Sequence, residues 1–170
     1  MYQESSRRSP KALQQITDIG MVRNMVTSYM KNPRSVILAV IPANVDIATQ
    51  EILDMAAECD EKGKGTLGIL TKPDLVDKGA EQNVIDLLDG KSHRLNLGWN
   101  IVRNLGQGQL GDISADRHLN ESIFFSTQSP WSKLSKDKAG IKALRSRLTD
   151  VLTEIVRREF PNVTKNAPAP

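Results

Sequence analysis

The apolar positions along the chain fall into distinct periods. In "SVILAVIPAN" the residues from Val36 to Ile41 are apolar without interruption and are stopped by Pro42 and Asn44, the pattern of a strand buried on both faces. "TLGILT", Thr66 to Thr71, is a second strand of this kind, and "WNIVRN" at 99 to 104 is a weaker third. Between the first two, "DIATQEILDMAAECDEKGKG" sets Ile47, Ile52, Leu53, Met55, Ala56 and Cys59 on one helical face before Gly63 and Gly65 end it. Strand, helix and strand in this order make a βαβ unit, which implies parallel pairing with a right-handed crossover.

Upstream, "ITDIGMVRNMVTSYMKNP" repeats Ile16, Ile19, Val22, Met25, Val26, Tyr29 and Met30 at helical spacing and ends at Pro33. Beyond the third strand, "DISADRHLNESIFFST" reads as a helix with Ile113, Leu119, Ile123 and Phe124 inward. "AGIKALRSRLTDVLTEIVRREF" is a longer helix with Ile141, Leu144, Leu148, Val151, Leu152, Ile155 and Val156 as its stripe, and Pro161 is expected to stop it. The elements describe an α/β fold, a mostly parallel sheet flanked by helices. Residues 1–15 are expected to be a disordered leader, 16–160 the domain and 161–170 a flexible tail. In such sheets ligands gather where loops leave the carboxyl ends of the strands. Those loops are "PANVD", "TKPDLVDKG" and "NLGQGQLG".

Composition narrows the function without deciding it. The 170 residues are 39% hydrophobic and 25% charged, ordinary for one globular domain. The longest apolar run, "VILAVIPA", is far short of the roughly 20 residues of a bilayer-crossing helix. "MYQESSRRSPKAL" lacks the apolar core of a secretory signal. A net charge of +3 with no basic block or aromatic platform gives no reason to expect nucleic acid as a partner. Cys59 stands alone, so neither an internal disulfide nor a cysteine metal cluster can form, which suits a cytoplasmic setting. His93 and His118 lie in polar surroundings and read as solvated surface, and no metal ligands are assigned.

The chemistry lies in the loops. "GILTKPD" ends the second strand with Thr71, Lys72, Pro73 and Asp74, an [NT]-K-x-D pattern of the kind that reads guanine. An ionised Asp74 only accepts hydrogen bonds, and guanine presents adjacent donors, N1–H and the exocyclic amine, to its two oxygens. Adenine offers a lone pair at N1 and no 2-amino group, so one carboxylate both holds guanine and rejects adenine. Lys72 can lay its aliphatic stem over the purine while its ammonium stays in water, and Thr71 can brace neighbouring loops. A second loop, "VRNLGQ", follows the next strand and would bring Asn104 and Gln107 to the base and ribose, with Gly106 allowing the turn. Gly106, Gly108 and Gly111 also spell the G-x-G-x-x-G of a dinucleotide turn, which would make the chain an oxidoreductase. That turn belongs at a first strand and needs an acid about 20 residues on, at the end of a second strand; "SPWSKL" stands there instead.

"RSVILAVIPANVDIATQEILDMAAECDEKGKGTLGILTKPDLVDKG" followed by "GWNIVRNLGQGQ" resembles the second half of the GTPase domain of dynamin-family proteins, in particular the dynamin-like and Mx-like GTPases of fungi. The resemblance runs from about Ile16 to Pro161. It implies that Thr71, Lys72 and Asp74 recognise the base and that Asn104, Leu105 and Gln107 close over base and ribose. At Leu105 the family often carries a basic residue. It also implies that Asp46 and Asp77 reach across a GTPase dimer, and that the last helix ends near a hinge.

The family's opening motifs are missing from these 170 residues: the phosphate-cradling G-x-x-x-x-G-K-[ST], a switch threonine and D-x-P-G. "GKS" at Gly90 to Ser92 follows "TKPD" where it should precede it, and "TDIG" is one residue too short for D-x-x-G. The fold expected is therefore a truncated P-loop GTPase-type domain lacking its N-terminal phosphate-binding half, with a strand left exposed on an edge. The function implied is GTP binding through the base, with hydrolysis coupled to membrane remodelling in the intact family but not in this chain alone. Magnesium belongs to the intact family, whose ligands are not in this sequence. The implied partners are GTP, a GTPase-domain dimer with itself or a full-length relative, membranes and microtubules, and the implied setting is cytoplasmic with peripheral membrane association. A non-catalytic dimerisation module is the alternative.

Overall fold

A computed structural model of the chain describes residues 10–32, 34–47, 50–60, 65–106 and 116–165. Its centre is the strand β2, Thr66–Thr71, with all six residues buried. β1, Ile37–Pro42, and β3, Trp99–Ile101, pair with it on either side, both parallel, giving the order β1-β2-β3. The register sets Ile37 opposite Thr66, Ile41 opposite Leu70, and Leu70 opposite Ile101. A single parallel bridge from Ile101 to Ala139 lies beyond the sheet.

Helices cover both faces. α2, Glu51–Cys59, and α3, Glu81–Leu88, lie on one side. There Ile41, Leu70, Val84, Leu87, Leu88, Trp99, Ile101 and Trp131 form the main core, with Ile52 and Leu53 packed against it. On the other side Leu67, Ile69 and Val102 meet Leu144 and Leu148 of α5, Ile141–Lys165. The turn into β2 is held by Asp60, whose Oδ2 accepts the Gly65 N–H and the Thr66 hydroxyl, each at 2.8 Å.

Four expectations need correcting. β1 is buried on one face only: Ile37, Ala39 and Ile41 point inward, while Leu38 and Val40 are 41% and 54% exposed. The helix on that side packs against β2 and β3, so the outer face of β1, an outer strand of the three-stranded sheet, meets water. Pro42 is tolerated at the end of an edge strand, where a missing N–H need break no ladder bond.

α1 spans Pro10–Met30, starting inside the expected leader, and its apolar Ile19, Val22, Met25 and Tyr29 are exposed. The period was legible, but α1 is fastened at its flank, by a 2.5 Å ion pair between Arg23 and Glu51 of α2, and little of its apolar stripe is covered.

α4, Arg117–Thr127, is capped by Asp116, which accepts the N–H groups of His118 and Leu119 at 2.9 and 3.2 Å. Leu119 and Ile123 face solvent; Phe124 and Phe125 face the core, and Glu121 is buried between them and the sheet's end. Ile113 lies outside the described residues.

α5 passes through Pro161 to Lys165. A proline inside a helix removes one N–H donor and crowds the preceding turn, at a cost of about 3 kcal/mol. That cost lowers helix stability locally without compelling an end. Ile141, Leu152 and Val156 of its expected stripe are exposed, because the three-residue β3 gives the helix little sheet to cover.

Candidate functional site: the loops at the carboxyl ends of β2 and β3

At the end of β2, Thr71 is buried and its hydroxyl donates to the Ile41 carbonyl at a long 3.4 Å, tying the loop to β1. Lys72 then takes a left-handed conformation, φ 55° and ψ 49°. For a residue with a Cβ this costs about 1–3 kcal/mol, and a following proline already bars it from the right-handed helical region. The conformation is held from both sides by buried Thr71 and buried Pro73. Pro73–Leu75 forms a single 3₁₀ turn closed by Leu75 N–H to Lys72 O at 3.1 Å. The result turns Lys72 and Asp74 outward, both exposed, on one short rigid loop.

β3 delivers the second loop beside it. Val102 N–H donates to Leu70 O at 2.9 Å, prolonging the ladder, so that Arg103 and Asn104 emerge next to the Lys72–Asp74 turn. Arg103 Nε stands 3.7 Å from Asp74 Oδ1. Asn104 is exposed and Leu105 half-buried, and both line an open cavity of about 360 Å³ with Arg117, His118 and Glu121. Gln107, Gly108 and Gly111 lie outside the described residues. The structure thus brings Thr71, Lys72, Asp74, Asn104 and Leu105 to one end of adjacent strands. Among the described residues β3 is followed by α4 and α5 and by no further strand, so the glycines do not open the βαβ unit that a dinucleotide turn requires.

Two residues here were not legible in the sequence. Arg103 is mostly buried, its guanidinium lying 5.0 Å from the centre of the Phe124 ring, and its Nε is buried without a hydrogen-bond partner. Glu121 accepts the Arg103 N–H at 2.9 Å with Oε1 and the Ile141 N–H at 2.8 Å with Oε2. In "HLNESIFF" the glutamate reads as the polar side of a helix; only the inward turn of Phe124 and Phe125 reveals it.

Asp46 and Asp77 are exposed and line a second open cavity, of about 650 Å³, between the β1 loop and α3. Asp86 and Lys91 share its rim, 2.7 Å apart. The Lys91 ammonium, and after it the Gln82 amide, hold the Asp86 carboxyl below its ordinary range, and Asp86 in turn raises Lys91. "GKS" is accordingly a turn after α3, with Gly90 at φ 71° and Lys91 bound to a carboxylate, not a phosphate cradle. Among the described residues no three His, Cys, Asp or Glu side chains converge to hold a metal. The side chains among the described residues do not make a site that fits magnesium.

A parallel sheet between two helical layers, with a T-K-P-D turn closing its central strand, defines the class: an α/β fold consistent with a truncated GTPase domain. The family model "Dynamin family" matches residues 6–73 and "Dynamin central region" matches 83–167. The chain is 38% identical over 151 residues to the interferon-induced GTP-binding protein Mx1 of Mus musculus, 86% of this chain and 24% of that protein. It is 39% identical to Mx2 of the same species, over 86% of this chain and 23% of that protein. With Mx of Ctenopharyngodon idella the identity is 37%, over 85% of this chain and 23% of the relative. The chain belongs to the dynamin family, and it spans about a quarter of the length of these relatives. The two family models meet between β2 and β3, yet those strands pair, so the seam does not separate two folding units.

Proposed function

We propose that this chain is the guanine-reading part of a GTP-binding domain. The observation that carries this is the Asp74 carboxylate, exposed at the end of the central strand on a loop fixed by Lys72 and Pro73 and flanked by the Arg103–Asn104 loop. Its two oxygens accept N1–H and the 2-amino group of guanine, Lys72 covers the ring, and Asn104, Leu105 and Gln107 close over base and ribose. The similar Mx proteins are GTP-binding proteins by name, which supports the ligand. Phosphate contacts supply much of a nucleotide's affinity, and no phosphate loop occurs in these residues. Binding by this chain is therefore millimolar, worth about 4 kcal/mol, without hydrolysis. Hydrolysis coupled to membrane remodelling or fission, with peripheral membrane and microtubule contacts in the cytoplasm, belongs in this proposal to the longer family members and rests on the resemblance.

A second reading, a dimerisation module pairing with itself or a longer relative, is favoured by the convergence of Asp46 and Asp77 on one cavity. Titration of the isotope-labelled chain with GDP, followed by amide shifts, tests the first. Saturable shifts at Thr71, Lys72, Asp74 and residues 102–106 are expected, and they should vanish in Asp74→Ala. Absence of saturation at roughly 10 mM nucleotide removes GTP binding and leaves the dimerisation module.

A further inference from the structure

We propose that Arg103 is a positioning residue for Asp74, and that Glu121 is the strut that sets Arg103. The inference rests on the guanine-reading function proposed above. A buried guanidinium N–H with no hydrogen-bond partner is an unfavourable arrangement, and the Arg103 Nε is in this state, with a carboxylate oxygen of Asp74 at 3.7 Å. Closing that separation by about 1 Å makes a charge-assisted hydrogen bond.

The bond is compatible with a bound base. Each carboxylate oxygen has two acceptor sites, so Oδ1 can take one purine N–H and the Arg103 Nε–H together. Held from the side in this way, the carboxylate cannot rotate out of the plane in which both oxygens meet guanine.

Arg103 can do this because it is itself held at two points. Phe124 lies 5.0 Å beneath its guanidinium, and Glu121 Oε1 accepts its backbone N–H at 2.9 Å. Glu121 is fixed in turn by the Ile141 N–H at the start of α5. Gly140, at φ 87°, brings the chain past that carboxylate, where a Cβ would stand 3.5 Å from Oε2. The contacts run from α5 through Glu121 and Arg103 to Asp74, so the domain's last helix sets the angle of the base-reading group.

The consequence is one of specificity. Guanine offers the carboxylate two donors and hypoxanthine one, so a fixed carboxylate favours guanine more than a rotating one does. The test compares GDP and IDP binding by amide shifts in the wild-type chain, Arg103→Gln, Arg103→Lys and Glu121→Gln. The preference for GDP should fall roughly threefold or more in Arg103→Gln, with IDP affinity changed less than about twofold. Arg103→Lys, which lacks the planar fork, should behave like it, and Glu121→Gln should lie between it and wild type. In the ligand-free wild-type fold, the Arg103 side-chain Nε–H resonance should shift on Asp74→Asn, which requires no Arg103 variant to fold. An unchanged preference, a parallel loss of both affinities, or a resonance indifferent to Asp74→Asn overturns the role of Arg103. A wild-type chain that binds GDP and IDP equally overturns the base-reading function itself.

Discussion

Gly68 lies against the face of Trp99 across the β2–β3 pairing, so close that a Cβ at position 68 would stand 2.1 Å from the indole Cε3. The indole cannot swing aside at no cost, because its N–H donates to the His93 carbonyl at 2.8 Å and the ring is buried in the main core. Gly68→Ala must therefore displace a strand or break that bond. A loss of about 1–3 kcal/mol is expected, read as a lower urea midpoint. An unchanged midpoint would mean that the ring has room to move.

Asp60 stitches the end of α2 to the start of β2 through one oxygen. Asp60→Ala leaves the buried Thr66 hydroxyl and the Gly65 N–H unsatisfied, at about 1–3 kcal/mol. Thermal melting should show the loss, and amide exchange at Gly65 should accelerate ahead of exchange in the rest of β2.

The Asp86–Lys91 pair predicts a local pH response. The carboxyl is depressed when folded, so its contribution is present above the ordinary value of 3.8 and is lost as pH falls through the lower folded value. Lys91 is raised, so its contribution is present below 10.5 and is lost as pH rises through the higher folded value. Lys91→Met should move the Asp86 titration up toward the ordinary range, as followed by carboxyl carbon shifts. Both groups are exposed, so added salt should shrink the difference.

Leu38 and Val40 present apolar surface along the edge of the sheet. An uncovered apolar edge promotes association between chains. Val40→Lys, alone or with Leu38→Lys, should lower the concentration-dependent light scattering of the chain while leaving its far-ultraviolet spectrum intact.

The sheet was legible because its strands are short apolar runs bounded by Pro, Gly and Asn. The T-K-P-D turn was legible because three residue types at fixed spacing carry a chemical rationale. What the sequence could not show was which apolar faces would be covered. Val40 and Ile41 look alike in a run of six apolar residues, and only the neighbouring helices distinguish them. Leu119 and Phe124 both fit a helical stripe, and the stripe rotates once Arg103 and Glu121 claim the inner side of α4. Those two residues are not legible in the sequence for a related reason: a charged side chain becomes recognisable as internal only when its partners, here the N–H of Ile141 and the ring of Phe124, are brought to it by the fold.

The seam between the two family models has a practical meaning for anyone dividing this protein. β3 is three residues long and its ladder partner is β2, on the far side of the seam. Two pieces severed between residues 74 and 82 would each carry half of a hydrogen-bonded ladder and half of one apolar core. They would behave as complementary fragments, poorly ordered apart and able to restore one another on mixing.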